Sequence, residues 1–223
     1  MYLPQTIPSI FADGSCKCGG PYLYPFPNSR IIGGFEVPIH SIPFQVALYQ
    51  NGGFNCGGSL ISPSYVLTAA YCTTYGATTQ NLKVIVGEHN LNIVGDGEQT
   101  FSVVKITAHP LFNIKLGGNN DYAILQISPS LNIPTTTAIV GIVCLPPDVT
   151  QTFEGALTTV SGWGLTSNTN TVPSPVMKAT FLTGISNPDC IAKKTGNASI
   201  TSNMLCAISS SSSGCRGDSG GNL

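Results

Sequence analysis

Hydrophobic positions in this chain fall in short runs that alternate with turn residues from position 31 onward. Each run is rich in Val, Ile, Thr or aromatic residues and is bounded by Gly, Pro, Asn or Asp, a pattern typical of β-strands. This spacing predicts an all-β sandwich or barrel. A short helix is predicted over residues 188–194. The clearest strand-like runs are residues 44–49, 82–86, 101–108, 122–127, 157–160 and 176–182.

The first 30 residues differ in composition from the rest. They are rich in Pro, Gly and Cys and show no sustained periodicity. We expect residues 1–30 to form an extended leader that is tied down through Cys16 or Cys18. Residues 31–223 are then predicted to form one β-rich domain.

Charge is sparse along the whole chain. Only 9% of residues are charged and the formal net charge is −1, against about 25% charged residues in an average soluble protein. This balance provides no electrostatic surface for nucleic acid or an anionic membrane, so neither is an expected partner. No apolar run approaches the ~18 residues that a membrane-spanning helix needs.

Cysteine usage indicates an oxidising compartment. The chain has eight cysteines, which in a Gly-, Pro- and Ser/Thr-rich sequence indicate disulfides and a secreted protein. Asn197-Ala198-Ser199 is a glycosylation acceptor triplet and supports secretion weakly. Residues 1–10 lack a basic start and contain two prolines, so no signal peptide is visible. Either the true start lies upstream or secretion is in doubt.

Six motifs then occur in order between residue 30 and the last residue. Together they resemble the chymotrypsin/trypsin-like serine proteases, and the Cys-x-Cys-Gly leader is similar to that of secreted invertebrate members. The motifs are Arg30-Ile31-Ile32-Gly33-Gly34, Cys56-Gly57-Gly58-Ser59-Leu60-Ile61, Thr68-Ala69-Ala70-Tyr71-Cys72, Asn120-Asp121-Tyr122-Ala123-Ile124-Leu125, Ser161-Gly162-Trp163-Gly164 and Gly217-Asp218-Ser219-Gly220-Gly221.

The resemblance implies a fold of two antiparallel six-stranded β-barrels with the active site between them. In the family, further strands and a C-terminal helix follow the Gly-Gly pair, whereas this sequence ends at Leu223. We therefore expect the second barrel to be incomplete and poorly stable, because an open sheet exposes unpaired backbone groups. We expect this end of the sequence to reflect an incomplete gene model or a fragment.

The same resemblance implies the catalytic residues. Ser219 matches the nucleophile, the backbone N–H groups of Gly217 and Ser219 match the oxyanion hole, and Asp121 matches the acid of the triad. Tyr71 stands where the family has its histidine. A tyrosine, with a pKa near 10, cannot act as a general base at neutral pH. We expect Asp121 to be buried and to accept a hydrogen bond from the Tyr71 hydroxyl.

No other histidine offers a substitute base. His40, His89 and His109 all match peripheral places in the family. Losing the triad histidine costs on the order of 10⁶ in turnover. The chain is therefore predicted to be an inactive serine protease homologue that binds or regulates proteases. The alternatives are an active chymotrypsin-like endopeptidase with a sequence error or allelic variant at position 71, and the product of a decaying gene.

Zymogen activation and substrate preference are also implied by the resemblance. Arg30-Ile31 matches the activation cleavage point, after which the Ile31 amine would pair with the Asp218 carboxylate. This switch requires no histidine. Ser213 matches the floor of the specificity pocket. A serine there is similar to chymotrypsin and predicts no special attraction for Lys or Arg.

The resemblance implies three disulfides. Two pairs are Cys56 with Cys72 and Cys190 with Cys206, and Cys144 would hold the leader through either Cys16 or Cys18. Cys215 matches a cysteine whose partner would lie beyond residue 223, so it is expected to lack a partner, as is one leader cysteine.

The segment from Gly87 to Gln99 resembles the calcium loop of the family. Glu88 and Glu98 are the candidate ligands, with backbone carbonyls of Asn90 and Ile93 contributing, because calcium takes six or more oxygens. Gly95 stands where one carboxylate is expected. Beyond possible calcium, no cofactor is expected. The expected partners are protein or peptide substrates or other proteases, and the chain is expected to be a monomer.

Overall fold

A computed structural model describes residues 34–112, 118–132, 139–146, 150–166, 171–193, 199–209 and 218–221. Strands dominate these residues. The strands are β1 (Phe35–Glu36), β2 (Gln45–Gln50), β3 (Gly53–Ser62), β4 (Tyr65–Thr68), β5 (Leu82–Val86), β6 (Gln99–Ala108), β7 (Ala123–Ser128), β8 (Leu157–Gly162), β9 (Lys178–Ile185) and β10 (Cys206–Ile208). A 3-10 helix spans Ala70–Thr73 and the α-helix α1 spans Asn187–Lys193.

Six strands close into an antiparallel barrel in the order β2-β3-β4-β7-β6-β5. Closure removes the unpaired strand edges that an open sheet would expose. The strand pairing also fixes the register of residues that matter for the site. Ala47 lies opposite Gly57 in β2 and β3, and Thr68 lies opposite Ala123 in β4 and β7.

The barrel interior is filled by the apolar positions that alternate along these strands. In β5 every second residue is buried, as expected for strands whose side chains point alternately to opposite faces. The predicted run 82–86 has the bounds of β5. The interior includes the fully buried side chains Val46, Leu48, Leu60, Val66, Val84 and Leu125.

The second unit is a four-stranded sheet built around β9. Strand β9 pairs with β8 on one side and with β1 and β10 on the other. The sequence predicts a second six-stranded barrel that is incomplete in this chain; the described residues contain this four-stranded sheet and no second closed barrel. The all-β expectation is confirmed, and the predicted helix 188–194 corresponds to α1, shifted by one residue.

A buried aromatic contact joins the two units. Trp163, which follows β8, is fully buried. Its indole N–H donates to the carbonyl of His89 at 2.9 Å, and its ring meets the edge of Phe54 with centroids 5.8 Å apart. The second sheet is therefore packed on the outer wall of the barrel, beside Phe54 of β3.

None of the helices among the described residues has the length and apolar character needed to cross a membrane.

Candidate active site

Tyr71 and Asp121 are joined through the backbone of residue 71. Strand β4 ends at Thr68, and the chain turns into the 3-10 helix, whose first amides lack partners within the helix. One of them, the N–H of Tyr71, donates to Oδ1 of Asp121 at 2.7 Å. Asn120, at φ 58°, turns the chain immediately before Asp121 and presents the carboxylate to that helix end.

The expected hydrogen bond from the Tyr71 hydroxyl to a buried Asp121 is wrong. Asp121 is exposed, and its recorded contact with Tyr71 is the backbone N–H. The phenol ring of Tyr71 instead meets the ring of Tyr75 edge-on, with centroids 5.3 Å apart. Because the Tyr71 N–H already occupies Oδ1 of Asp121 and water reaches the exposed carboxylate, Asp121 does not depend on the Tyr71 hydroxyl for a donor.

Ser219 lies on the barrel wall and is exposed to solvent. Its carbonyl accepts a hydrogen bond from the backbone N–H of Gly57 at 2.8 Å. The sulfur of Cys72 lies 3.7 Å from the same carbonyl oxygen. The backbone of Ser219 is therefore held by β3 and contacted by the Cys56–Cys72 disulfide.

Asp218 points in the opposite direction, toward the second sheet. Its Oδ1 accepts a hydrogen bond from the N–H of Gly164 at 2.7 Å. A β-carbon on Gly162 or Gly164 would collide with this carboxylate, so the two glycines of the Ser161-Gly162-Trp163-Gly164 motif provide the room for it. A pocket beside the carboxylate includes Gly34 in its lining.

Two disulfides connect described cysteines, and they are the two pairs that the resemblance implies. Cys56 is bonded to Cys72 and Cys190 to Cys206. Cys144 is also disulfide-bonded, with its partner outside the described residues.

Several predicted site residues lie outside the described residues, so their roles stay predictions. They are Cys16, Cys18, Arg30, Ile31, Ser213, Cys215 and Gly217.

The three histidines are engaged away from Ser219. His109 stacks on Tyr122 with ring centroids 4.7 Å apart. The Nε2 atom of His89 lies 3.5 Å from the Glu36 carboxylate. The ring of His40 is close enough to Gly97 that a β-carbon there would be 3.0 Å from it.

Comparison with known proteins agrees with this geometry. The family model Trypsin matches residues 31–223. This chain belongs to the trypsin family. It is 33% identical over 199 residues to trypsin 5G1 of Aedes aegypti, covering 88% of this chain and 71% of the relative. It is 33% identical over 205 residues to human chymotrypsin-like elastase family member 1, covering 89% of this chain and 77% of the relative. For serine protease 1 of Rattus norvegicus the identity is 32% over 199 residues, covering 87% of this chain and 74% of the relative.

A trypsin-like serine protease domain thus presents Ser219 and Asp121 on one side of the barrel. Both are solvent-accessible. The backbone carbonyl of Ser219 accepts a hydrogen bond from β3, and the side-chain carboxylate of Asp121 accepts one from the 3-10 helix. Such a frame can orient a hydroxyl and a carboxylate. Proton transfer from the serine needs a base in addition.

Three carboxylates face one another in the 87–99 segment. The side chains of Glu88, Asp96 and Glu98 each have one oxygen that is inaccessible to solvent and has no hydrogen-bond partner. Burial, and next the negative charges of Asp96 and Glu98, raise the pKa of Glu88 to about 7. The N–H of Gly95 lowers the pKa of Glu98 by donating to its Oε1 at 2.7 Å.

These unpartnered oxygens fit a hard cation in their chemistry, because calcium prefers carboxylate oxygens. In the described residues the side chains do not converge into a ready group of three or more acidic, His or Cys ligands. The carbonyl of Asn90 accepts a hydrogen bond from the Ile93 N–H at 2.9 Å.

Sequence reasoning missed several residues that shape the site. Asp96, which follows Gly95, joins the acidic group and compensates in charge for the carboxylate expected at position 95. In the sequence, the position of Asp96 next to Gly95 is the signal that points to this compensation. Gly57 and Gly164 each donate a backbone N–H, to the Ser219 carbonyl and to the Asp218 carboxylate. The motifs in which they occur do not predict which amide meets which residue.

Proposed function

We propose that this trypsin-like serine protease domain is a serine protease homologue that binds its targets without hydrolysing them. The observation that carries the proposal is the hydrogen bond from the Tyr71 N–H to Asp121. It places residue 71 beside the acid, so the side chain at this position is the one required to act as base. A phenol with a pKa near 10 stays protonated at neutral pH.

The remaining features support retained binding. The exposed Ser219 is held on the barrel wall by Gly57, and Asp121 is exposed to solvent. A protein that keeps this frame without a base can hold a peptide segment and leave it intact. Its partners would be proteins or peptides, including active proteases whose substrates it competes for.

Activation by cleavage is part of the same proposal. Cleavage between Arg30 and Ile31 would free an amine three residues before Gly34. The pocket that includes Gly34 also contains the Asp218 carboxylate, which supports insertion of the new N-terminus there. The ion pair would replace or add to the Gly164 hydrogen bond, and it needs no histidine.

Secretion and calcium complete the proposal. The disulfides Cys56–Cys72 and Cys190–Cys206 fit an oxidising compartment. Glu88 and Glu98, with Asp96, would hold calcium in the 87–99 loop. The cation would neutralise the facing carboxylates and order the loop.

Fluorophosphonate labelling tests the loss of hydrolysis, because the probe reacts with an activated serine. The purified chain, activated by cleavage after Arg30, is compared with Ser219→Ala. We expect no labelling above that of Ser219→Ala. Rapid labelling that depends on Ser219 would overturn the proposal and favour the alternative of an active endopeptidase. Sequencing of the source transcript across codon 71 then shows whether histidine is the natural residue.

A further inference from the structure

The loop that carries Ser219 is seated in a socket on the barrel wall. The socket consists of Gly57 from β3 and Thr68 and Ala69 from the end of β4. Gly57 donates its N–H to the carbonyl of Ser219 at 2.8 Å. The carbonyl of Gly57 accepts a hydrogen bond from the Thr68 hydroxyl at 2.8 Å. Both polar backbone groups of Gly57 are therefore used at this one place.

The position of Gly57 in the sheet explains why it needs these partners. The pairing of β3 with β4 ends at Ser59 and Leu67, so the ladder no longer satisfies Gly57 on that side. Backbone groups near a buried wall need partners. The Thr68 hydroxyl and the Ser219 carbonyl supply them. Thr68 is itself only 3% exposed, so its hydroxyl has few alternatives in solvent.

Gly220 shows how closely the loop fits the socket. With φ at 79°, its backbone passes so close to the wall that a β-carbon would overlap the Thr68 hydroxyl oxygen. The same β-carbon would lie 2.6 Å from the Gly57 carbonyl oxygen and 3.0 Å from the Ala69 nitrogen. Gly221 is next to Gly57, because a β-carbon on Gly57 would lie 3.1 Å from the Gly221 nitrogen.

We propose that Thr68 is a positioning residue for Ser219. Its hydroxyl fixes the Gly57 carbonyl, and so fixes the part of β3 whose N–H holds the Ser219 carbonyl. Thr68 also precedes the segment that leads into Tyr71, so one side chain sets the relation between the serine loop and the 3-10 helix. The inference rests on the proposed role of Ser219, although its first test does not.

Hydrogen exchange at the Gly57 amide tests the proposal in the protein as it exists. Thr68→Val removes the hydroxyl and keeps the shape, and Thr68→Ser restores the hydroxyl. We expect Gly57 to exchange at least about fivefold faster in Thr68→Val, because a buried acceptor is left without its donor. In Thr68→Ser the rate should return to within about twofold of the unaltered chain.

A reference amide and a matched variant distinguish a local effect at Gly57 from a general loss of stability. Val84 in β5 lies in the barrel interior and reports opening of the whole barrel. Thr158 donates its hydroxyl to the Leu182 carbonyl at 3.2 Å, so Thr158→Val removes a similar hydrogen bond away from the socket. If Thr68→Val accelerates exchange equally at Gly57 and Val84, the barrel as a whole has been destabilised and the proposal is overturned. It is also overturned if Gly57 exchange accelerates in Thr158→Val and not in Thr68→Val.

Two further measurements keep the outcome decisive. In the unaltered chain Gly57 must already be protected like the paired strand amides, and free exchange there overturns the proposal even if Thr68→Val fails to fold. In a Tyr71→His background, fluorophosphonate labelling of Ser219 should fall in Thr68→Val and recover in Thr68→Ser. Ser219-dependent labelling of the chain with Tyr71 would overturn the proposed function, whereas absence of labelling in all Tyr71→His proteins would show that more than the base has been lost. In both cases the exchange result decides the role of Thr68.

Discussion

The backbone N–H of Tyr71 donates to the Asp121 carboxylate at 2.7 Å, so the acid is held by residue 71 without using its side chain. Asp121 therefore keeps its place whatever side chain follows Ala70. The frame for an acid and a nucleophile is built from backbone groups, since Ser219 is also held through its carbonyl. A change of side chain at position 71 therefore leaves this hydrogen bond in place.

Tyr71→His should restore an activated serine in one step. An imidazole at position 71 would lie beside Asp121, which would orient it and stabilise its protonated form. We expect Ser219-dependent fluorophosphonate labelling to rise by about 10³-fold or more. The measurement compares labelling rates of the unaltered chain, Tyr71→His and Tyr71→His with Ser219→Ala. No increase over the unaltered chain would show that more than the base has been lost.

Removing either disulfide should destabilise the fold, and the two pairs form a matched comparison. Each closes a sequence separation of 16 residues, so the chain-entropy loss is the same, about 3 kcal/mol. Cys56 and Cys72 are 2% and 3% exposed, whereas Cys190 and Cys206 are half-buried. Replacing the first pair by alanines also leaves a void, so it should cost more.

Urea unfolding of the two double Cys→Ala variants checks this order. Equal losses would mean that burial of the Cys56–Cys72 pair adds nothing to the loop-closure effect. Because the Cys72 sulfur contacts the Ser219 carbonyl, Gly57 amide exchange should rise only when the first pair is removed. The Cys190–Cys206 variant serves as its control.

Trp163→Phe should lower the free energy of unfolding by about 2 to 4 kcal/mol. The smaller ring leaves part of a fully buried site empty, and the His89 carbonyl loses the indole N–H that reaches it at 2.9 Å. Trp163 is the single tryptophan of the chain, so unfolding is followed by circular dichroism. Tyr75→Leu, at an exposed ring, should change stability by less than about 0.5 kcal/mol. A similar small loss in Trp163→Phe would contradict the role given to this contact.

The apolar pattern predicted those strands that are regular and half-buried. Run 82–86 has the bounds of β5, and the other runs fall on β2, β6, β7, β8 and β9 with shifts of up to three residues at their ends. Strand β3 was missed because its sequence contains three glycines, which signal turns when read locally. It forms because β2 and β4 pair with it on both sides, a tertiary effect that no local pattern contains.

The site was predictable to the level of residue identity and no further. Motif order indicated Ser219, Asp121 and Tyr71, but the chemistry of side chains suggested a phenol–carboxylate hydrogen bond, and the structure has a backbone one. The difference arises because 3-10 helix amides need acceptors. A sequence does not show which backbone group an exposed carboxylate will meet. For the same reason the socket of Gly57 and Thr68 was invisible in it.

Glu88 should make the stability of the fold fall as pH rises. Its pKa is raised from the ordinary value of 4.5 to about 7, first by burial and then by Asp96 and Glu98. A carboxyl with a raised pKa contributes stability that is complete below the unfolded-state value and is lost as pH rises through the folded-state value. Glu88→Gln should therefore flatten the melting-temperature profile between about pH 5 and pH 7.

Calcium should reverse this loss, because a cation favours the ionised form of Glu88 and binding releases its proton. We expect added calcium to raise the melting temperature more at about pH 8 than at about pH 5, and to do so much less in Glu88→Gln. Glu154→Gln, at an exposed position outside the loop, is the control. A pH slope that persists in Glu88→Gln would refute the assignment of that slope to Glu88. A calcium response equal in both variants would place any cation away from the Glu88 carboxylate, since the oxygen proposed to bind it carries no charge in the glutamine variant.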